Sequence, residues 1–201
     1  HAGLFEDDER VICYTNFHMK TDLKTLTKLV RHNILQMTTA AGSGHPTTSL
    51  SAVELMTALW FDGHYAYDEK DPKYIFNDRM VFSKGHASPL LYAMYHAAGW
   101  VEYDELLTLR KFDSRLEGHP TTDLPWVDVA TGSLGQGLSV GLGMALGIKL
   151  KMQNSKSKVK REPMVYVLMG DSEFSEGQVY EAMQVASHYK LNNLVGIIDV
   201  N

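Results

Sequence analysis

Two short apolar runs separated by one helical segment constrain the fold of this 201-residue chain more than any other feature. The first run, Met164 to Met169, ends at a Gly-Asp pair, and the second, Leu194 to Val200, is rich in β-branched residues. The segment from Glu173 to Lys190 repeats apolar residues at helical spacing, namely Val179, Ala182, Met183 and Ala186. A strand, helix and strand of this length predict a βαβ unit with two parallel strands and a right-handed crossover.

A polar residue follows each predicted strand, Asp171 after the first and Asn201 after the second. If the strands are neighbours, about 4.8 Å apart, both side chains lie at the sheet edge where open α/β folds bind ligands. Two oxygen donors suit Mg²⁺ or Ca²⁺, and a helix starting near Ser172 would favour a phosphate. The alternative is that Asp171 is a helix cap and Asn201 a turn residue.

The composition argues against several other classes of protein. A chain that is 44% hydrophobic and 21% charged is typical of an α/β protein, and its net charge of −5 gives nucleic acid no general attraction. The longest Gly/apolar tract, Gly137 to Ile148, is too short to span a bilayer. The single cysteine, Cys13, excludes an internal disulfide framework. We therefore predict a cytoplasmic chain with no nucleic-acid or membrane partner.

The chain divides into an N-terminal extension and one α/β domain. Residues 1–18 carry an acidic cluster without clear periodicity, and we interpret them as a leader or extension outside the fold, with Met19 as the natural start. A native N-terminal arm is the alternative. Periodicity in the domain, residues 19–201, predicts a strand at 79–83, a solvated loop at 153–162, and helices at about 21–41, 52–60, 89–99 and 104–112. The segment 132–137 leads into a Gly/Ala-rich helix that ends at about Met152. Ser49 or Ser51 would cap the second helix.

Three histidines, His45, His86 and His119, each follow a glycine in a predicted loop. Glycine lets the backbone turn sharply or approach a ligand closely, and binding residues concentrate on loops. Imidazoles also exchange protons near neutral pH. Three such corners in one domain predict a shared cleft. His64 also follows a glycine but lacks a matching context, and we interpret it as structural.

The Gly-Asp pair, followed about thirty residues later by asparagine, resembles the thiamine-diphosphate motif. Together with its neighbours Glu176-Gly177 it is similar to the transketolase version of that motif. Four further segments resemble the motifs of the transketolase family in the same order: Ser43 to Pro46, Phe82 to Ala87, Glu117 to Pro120 and Asp128 to Gly137. The resemblance covers about Leu23 to Asn201 and is nearer the animal-type members. It implies a three-layer α/β/α fold with a mostly parallel sheet, incomplete in this chain.

The resemblance implies catalytic roles for three residues. His45 would contact the sugar hydroxyls near the reacting carbon, and His119 would bind the terminal hydroxyl of the donor. Glu176 would make a carboxylate contact across a dimer. The implied reaction transfers a two-carbon glycolaldehyde unit from a ketose phosphate to an aldose phosphate through thiamine diphosphate.

The resemblance also implies the binding residues. Asp171 and Asn201 would ligate Mg²⁺ or Ca²⁺, Thr48 would lie against the thiamine, and His86 and the Ser172 N–H would reach the diphosphate. The full cofactor set is Thr48, His86, Gly132, Ser133, Leu134, Gly170, Ser172 and Asn201. Many members have glycine where this chain has Ser172, and we expect only a tighter fit there.

The same resemblance implies parts that this chain does not carry. The family's metal site takes a third ligand two residues beyond Asn201, and its cofactor is activated by a pyrimidine-binding domain of another subunit. We therefore expect a fragment, or the ordered part of a longer chain, whose partners are the pyrimidine-binding and C-terminal domains of a protein that is homodimeric when complete. A naturally split subunit is the alternative. Alone, the chain would be inactive, with a weak or empty metal site.

Other readings of the sequence remain open. One is a different thiamine-diphosphate enzyme, such as dihydroxyacetone synthase, deoxyxylulose-phosphate synthase or a keto-acid dehydrogenase component, and another is a non-catalytic cofactor-binding module. The Glu117 to Pro120 corner favours transketolase, because a keto-acid site has no sugar hydroxyls to bind. A nucleotide-binding fold fits worst, because Gly135 to Val140 lacks the final Gly or Ala of the dinucleotide fingerprint. The Gly/Ala bias of that helix indicates close packing instead.

Overall fold

The computed structural model describes residues 22–154 and 161–200. The predictions for residues 1–18, for most of the 153–162 loop and for Asn201 lie outside these residues. The described α-helices are α1 Leu23–Ala41, α2 Pro46–Ser51, α3 Val53–Phe61, α4 Ser88–Ala97, α5 Tyr103–Leu106, α6 Gln136–Asn154 and α7 Gly177–His188. Two 3₁₀ segments, Gly85–Ala87 and Asp171–Ser175, follow strands. None of the helices in the described part is long and apolar enough for a bilayer crossing.

Three parallel strands form the described sheet, in the order β1 Arg79–Phe82, β2 Val165–Gly170 and β3 Leu194–Asp199. Phe82 lies opposite Leu168, and Gly170 lies opposite Asp199. The carboxyl ends of all three strands therefore meet at one edge. The predicted βαβ unit is confirmed, because β2 and β3 are direct parallel neighbours joined through α7.

Alternate residues of the strands enter two separate cores, one on each face of the sheet. One face packs against α1, α3 and α4 through Met80, Phe82 and Leu168. The other packs against α6 and α7 through Val81, Val167 and Met169. Helices on both faces of a parallel sheet confirm the predicted three-layer α/β/α class.

Two glycines bring α6 unusually close to the sheet. A Cβ added to Gly137 would lie 2.3 Å from both Cβ and Oγ of Ser83, and one added to Gly141 would lie 2.4 Å from Cγ2 of Val167. Gly143, on the same helix, has nothing within 4 Å of that position. This contact agrees with the close packing that the Gly/Ala bias indicates.

Several local predictions are wrong in detail. The helix predicted over 52–60 is present as α3, but neither Ser49 nor Ser51 caps it. A separate helix that was not predicted, α2, precedes it and begins at Pro46, because proline at the first helical position is already set in helical geometry. The helix expected over 104–112 ends at Leu106, and the Arg110 N–H donates to the Leu116 carbonyl, which folds the chain back. Met183, one of the apolar residues at helical spacing in the predicted 173–190 helix, is exposed.

Candidate functional site

The three glycine–histidine corners meet at the carboxyl edge of β1. The ring centroids of His45 and His86 are 5.3 Å apart, and those of His86 and His119 are 4.7 Å apart, both pairs edge to face. His86 lies in the 3₁₀ segment directly after β1, so the strand fixes the middle ring of the row. The structure therefore brings together three residues that are widely separated in sequence.

The backbone at His45 is strained, which fixes where its imidazole points. His45 has a φ of 51° and Gly44 a φ of 123°, both in the left-handed region. A Cβ on Gly44 would lie 3.0 Å from Cγ2 of Thr38. Left-handed conformations at non-glycine residues are costly and often occur at functional sites. The turn leaves the His45 side chain exposed before Pro46 opens α2.

A glycine-lined loop closes the other side of the histidine row. Gly132 has a φ of 135°, and a Cβ there would lie 2.9 Å from Cδ2 of His119. A Cβ on Gly85 would lie 2.8 Å from the Gly132 nitrogen. The Thr131 hydroxyl donates to the Phe82 carbonyl at 2.7 Å, which ties the loop to the end of β1. Ser133 and Leu134, predicted to contact the cofactor, are exposed on this loop.

His119 carries an enclosed polar atom with no partner among the described residues. Its Nε2 and the Thr121 hydroxyl oxygen are both buried without a hydrogen bond. Such atoms are normally satisfied in native proteins, so an enclosed orphan beside a glycine-lined loop indicates a ligand or an ordered water. Burial, followed by His86, Arg110 and His45, lowers the pKa of His119.

The lowered pKa of His119 predicts a loss of stability on acidification. The unfolded chain binds its proton near the ordinary pKa of 6.5 and the folded chain only below that value, so this contribution is complete above pH 6.5 and is lost as the pH falls through the lowered pKa. We expect His119→Gln to reduce the drop in melting temperature between about pH 7.5 and pH 5. Exposed His32, replaced in the same way, should leave that drop unchanged. An equal drop in wild type and His119→Gln would contradict the assignment.

The predicted metal site is described only in part. Asp171 is exposed at the end of β2, and its Oδ1 accepts the Ser172 N–H at 2.9 Å. The second expected ligand, Asn201, lies outside the described residues. Among residues 22–154 and 161–200, no three His, Cys, Asp or Glu side chains form a group that could hold a metal ion. The metal assignment therefore stays a prediction.

The helix expected to begin near Ser172 begins five residues later. Asp171–Ser175 is a 3₁₀ segment, and α7 starts at Gly177. The reason is Glu173, whose Oε2 accepts the Gly170 N–H at 2.9 Å and turns the chain tightly after β2. The Gly170 donor is thus taken within the protein, and any cofactor contact of Gly170 would use its other atoms.

The sequence predictions missed Glu173, although its side chain joins three segments. The residue is 1% exposed, and its Oε1 also accepts the Ser83 hydroxyl at 2.6 Å and the Gly135 N–H at 2.9 Å. Its position three residues after Gly170 has the spacing of a capping box, the one signal that was present in the sequence.

A buried ion pair at the same edge was also missed. The Lys84 ammonium contacts the Asp199 carboxylate, and the Ser51 hydroxyl donates to Asp199 at 2.5 Å. Lys84 follows β1 and Asp199 ends β3, so this pair spans the outer two strands of the described sheet. Because both residues lie at carboxyl ends of predicted strands, the rule that placed Asp171 and Asn201 together would have found them as well.

The two remaining predicted residues are Thr48 and Glu176. Thr48 is partly buried on α2, and its carbonyl oxygen lies 3.0 Å from the Ser51 Oγ. Glu176 is exposed just before α7, where its Cβ would be 2.7 Å from a Cβ added to Gly135. Their predicted roles stay predictions.

The comparisons with known proteins agree with this arrangement. The family model described as transketolase, thiamine diphosphate binding domain, matches residues 23–201. The chain belongs to the transketolase family. Human transketolase is 50% identical over 179 residues, which cover 89% of this chain and 27% of the human protein. The chain thus spans about a quarter of that relative's length.

Solved transketolases share the fold. The Campylobacter jejuni enzyme superimposes with a TM-score of 0.83 at 35% identity, covering 89% of this chain and 28% of its own. A variant transketolase from Pichia stipitis, in complex with fructose 6-phosphate, superimposes with a TM-score of 0.80 at 33% identity, covering 89% of this chain and 27% of its own. Membership of the family confirms the recognition drawn from the motifs.

Proposed function

We propose that this chain forms the thiamine-diphosphate side of a transketolase active site that transfers a two-carbon unit between sugar phosphates. The observation that carries the proposal is the row of three histidines against a glycine-lined loop, at the carboxyl edge of a parallel sheet. Open α/β sheets bind ligands at that edge. In such a site, glycines let the backbone approach a ligand closely, and histidine side chains transfer protons near neutral pH.

The residues at this edge fit the cofactor. Gly85 and Gly132 let the segment after β1, the following loop and His119 pack closely together, because a Cβ on either glycine would clash there. The buried Nε2 of His119 lacks a hydrogen-bond partner among the described residues. His86 and the exposed backbone of Ser133 and Leu134 would hold the diphosphate, and Thr48 would lie against the thiamine. When bound, thiamine diphosphate supplies the carbon nucleophile for ketol transfer.

The histidines would bind the sugar and move its protons. His45 is exposed and would contact hydroxyls near the reacting carbon. The lowered pKa of His119 favours its neutral form, which can accept a hydrogen bond from a substrate hydroxyl. The Pichia stipitis enzyme, with its bound fructose 6-phosphate, supports a ketose phosphate as donor.

We propose that a divalent cation, Mg²⁺ or Ca²⁺, binds Asp171 and Asn201 beside the diphosphate. Asp171 is exposed at the end of β2 and offers the carboxylate oxygen that these cations prefer. The Asp171 Oδ1 accepts the Ser172 N–H in this structure. The Ser172 N–H would therefore be free to donate to a diphosphate only after the Asp171 side chain turns toward the metal.

We also propose that a partner subunit covers the outer face of α7. Tyr180 and Met183, three residues apart on one side of α7, are 52% and 49% exposed, and exposed apolar side chains of this kind mark interaction sites. Glu176 lies at the start of the same helix, where its exposed carboxylate would meet the partner.

The test uses the full-length protein that carries this chain. Isothermal titration calorimetry should show saturable binding of thiamine diphosphate with Mg²⁺, and a donor and acceptor screen should show ketol transfer from ketose phosphates to aldose phosphates. His119→Ala should weaken the use of hydroxylated donors. Thiamine-diphosphate binding without ketol transfer to any aldose phosphate would favour a different enzyme of the same cofactor class, and absence of binding would contradict the proposal.

A further inference from the structure

One buried carboxylate connects the three backbone segments that form the candidate site. Glu173 accepts hydrogen bonds from Ser83 after β1, from Gly135 before α6 and from Gly170 at the end of β2. All three partners are donors, which suits an ionised carboxylate that can only accept. Burying such a group is costly unless its oxygens are satisfied, and here three donors satisfy them.

Each donor lies next to residues of the predicted cofactor site. Ser83 precedes Lys84-Gly85-His86, Gly135 follows Gly132-Ser133-Leu134, and Gly170 precedes Asp171-Ser172. Two of the three bonds come from backbone N–H groups, so the carboxylate fixes the course of the main chain and not only side-chain positions. A further hydrogen bond, which does not involve Glu173, joins α7 to the same loop: the Gln178 side chain donates to the Leu134 carbonyl at 3.1 Å.

We infer that Glu173 is a positioning residue that sets the spacing of the three diphosphate-binding segments. The inference rests on the proposed function, since it assumes that these segments hold a diphosphate. A negative side chain would repel that ligand if it faced it, so Glu173 acts through the backbone groups it holds. Because it joins β1, β2 and the loop before α6, losing it displaces the segments relative to one another.

Replacing the carboxylate by an amide separates this role from general packing. Oε1 takes two donors and Oε2 takes one, so in either orientation the amide –NH₂ of Glu173→Gln faces a backbone N–H that cannot accept. Side-chain volume is nearly unchanged. Ser83→Ala removes one donor and leaves both backbone bonds.

The experiment measures binding by the full-length protein of thiamine diphosphate and, separately, inorganic pyrophosphate, each with Mg²⁺. We expect Glu173→Gln to raise both dissociation constants about tenfold or more, the loss of one charge-assisted hydrogen bond. Ser83→Ala should raise them by a smaller factor, about threefold. Glu102→Gln, which changes an exposed carboxylate before α5, should match wild type.

Wild-type dissociation constants in Glu173→Gln, with a lowered melting temperature alone, would overturn the inference and leave Glu173 a purely structural residue. If Glu173→Gln does not fold, Ser83→Ala decides, and unchanged binding in that variant overturns the inference as well. Failure of the wild-type protein to bind either ligand would instead contradict the proposed function, so the two failures are distinguishable.

Discussion

A Lys84→Met substitution is expected to lower the free energy of unfolding by about 3–5 kcal/mol, the range for removing one partner of a buried ion pair. The side chains of Lys84 and Asp199 are only 10% and 8% exposed. Without the ammonium, the Asp199 carboxylate stays buried, with the Ser51 hydroxyl as its remaining hydrogen-bond partner among the described residues. Urea denaturation of wild type and variant measures the difference.

An exposed ion pair supplies the matched control. Arg31 and Glu54 join α1 to α3 with exposed fractions of 38% and 60%, so Arg31→Met should cost less than about 1 kcal/mol. The double variant Lys84→Met with Asp199→Leu removes both buried charges and should recover much of the loss. A double variant less stable than Lys84→Met alone would show that the cost comes from packing and not from the unpaired charge.

The second large effect is expected from Gly137→Ala, which should lower the free energy of unfolding by about 1–3 kcal/mol, or more if the backbone cannot move. The added methyl would lie 2.3 Å from the Ser83 side chain and 2.9 Å from its Cα. Ser83 cannot turn aside freely, because its hydroxyl is bonded to Glu173. Relief therefore requires α6 to move away from β1.

Gly143→Ala on the same helix separates this clash from helix propensity. Nothing lies within 4 Å of the new methyl there, and alanine is favoured over glycine in a helix by about 0.5–1 kcal/mol. Gly143→Ala should therefore be neutral or stabilising in urea denaturation. If Gly137→Ala were as stable as Gly143→Ala, the close approach of α6 to the sheet would be wrong.

Helices and strands could be predicted where the spacing of apolar residues and the positions of capping residues indicate the same bounds. Helix α1 has Asp22 as its N-cap and Gly42 in the left-handed conformation at its end, and the predicted and observed bounds nearly coincide. The predicted length of α5 was wrong, although residues 104–112 have a composition typical of a helix. The hydrogen bond from the Arg110 N–H to the Leu116 carbonyl ends the helix early, and no local sequence pattern reveals this bond. Tertiary contacts decide such segments.

The histidine row could be predicted because glycine marks each corner and the corners are loops of one domain. The side chains that support it could not be found in the same way. Glu173 occurs in an acidic, polar segment where an exposed helix is the ordinary expectation, yet it is 1% exposed. Only its three donors, two of them from segments distant in the sequence, explain its burial.

The parallel pairing of β1 with β2 determines how the site can be assembled during folding. Strands β2 and β3 are joined by one helix, so their pairing closes a short loop, whereas residues 79–82 pair with residues 165–168 across a far longer stretch of chain. The entropy of closing a loop grows with its length, and non-local pairings form slowly. Asp171 therefore lies in the β2–α7–β3 unit, whose strands pair over a short stretch of sequence. His86 joins that unit only when β1 pairs with β2, so we expect the histidine row to form late in folding.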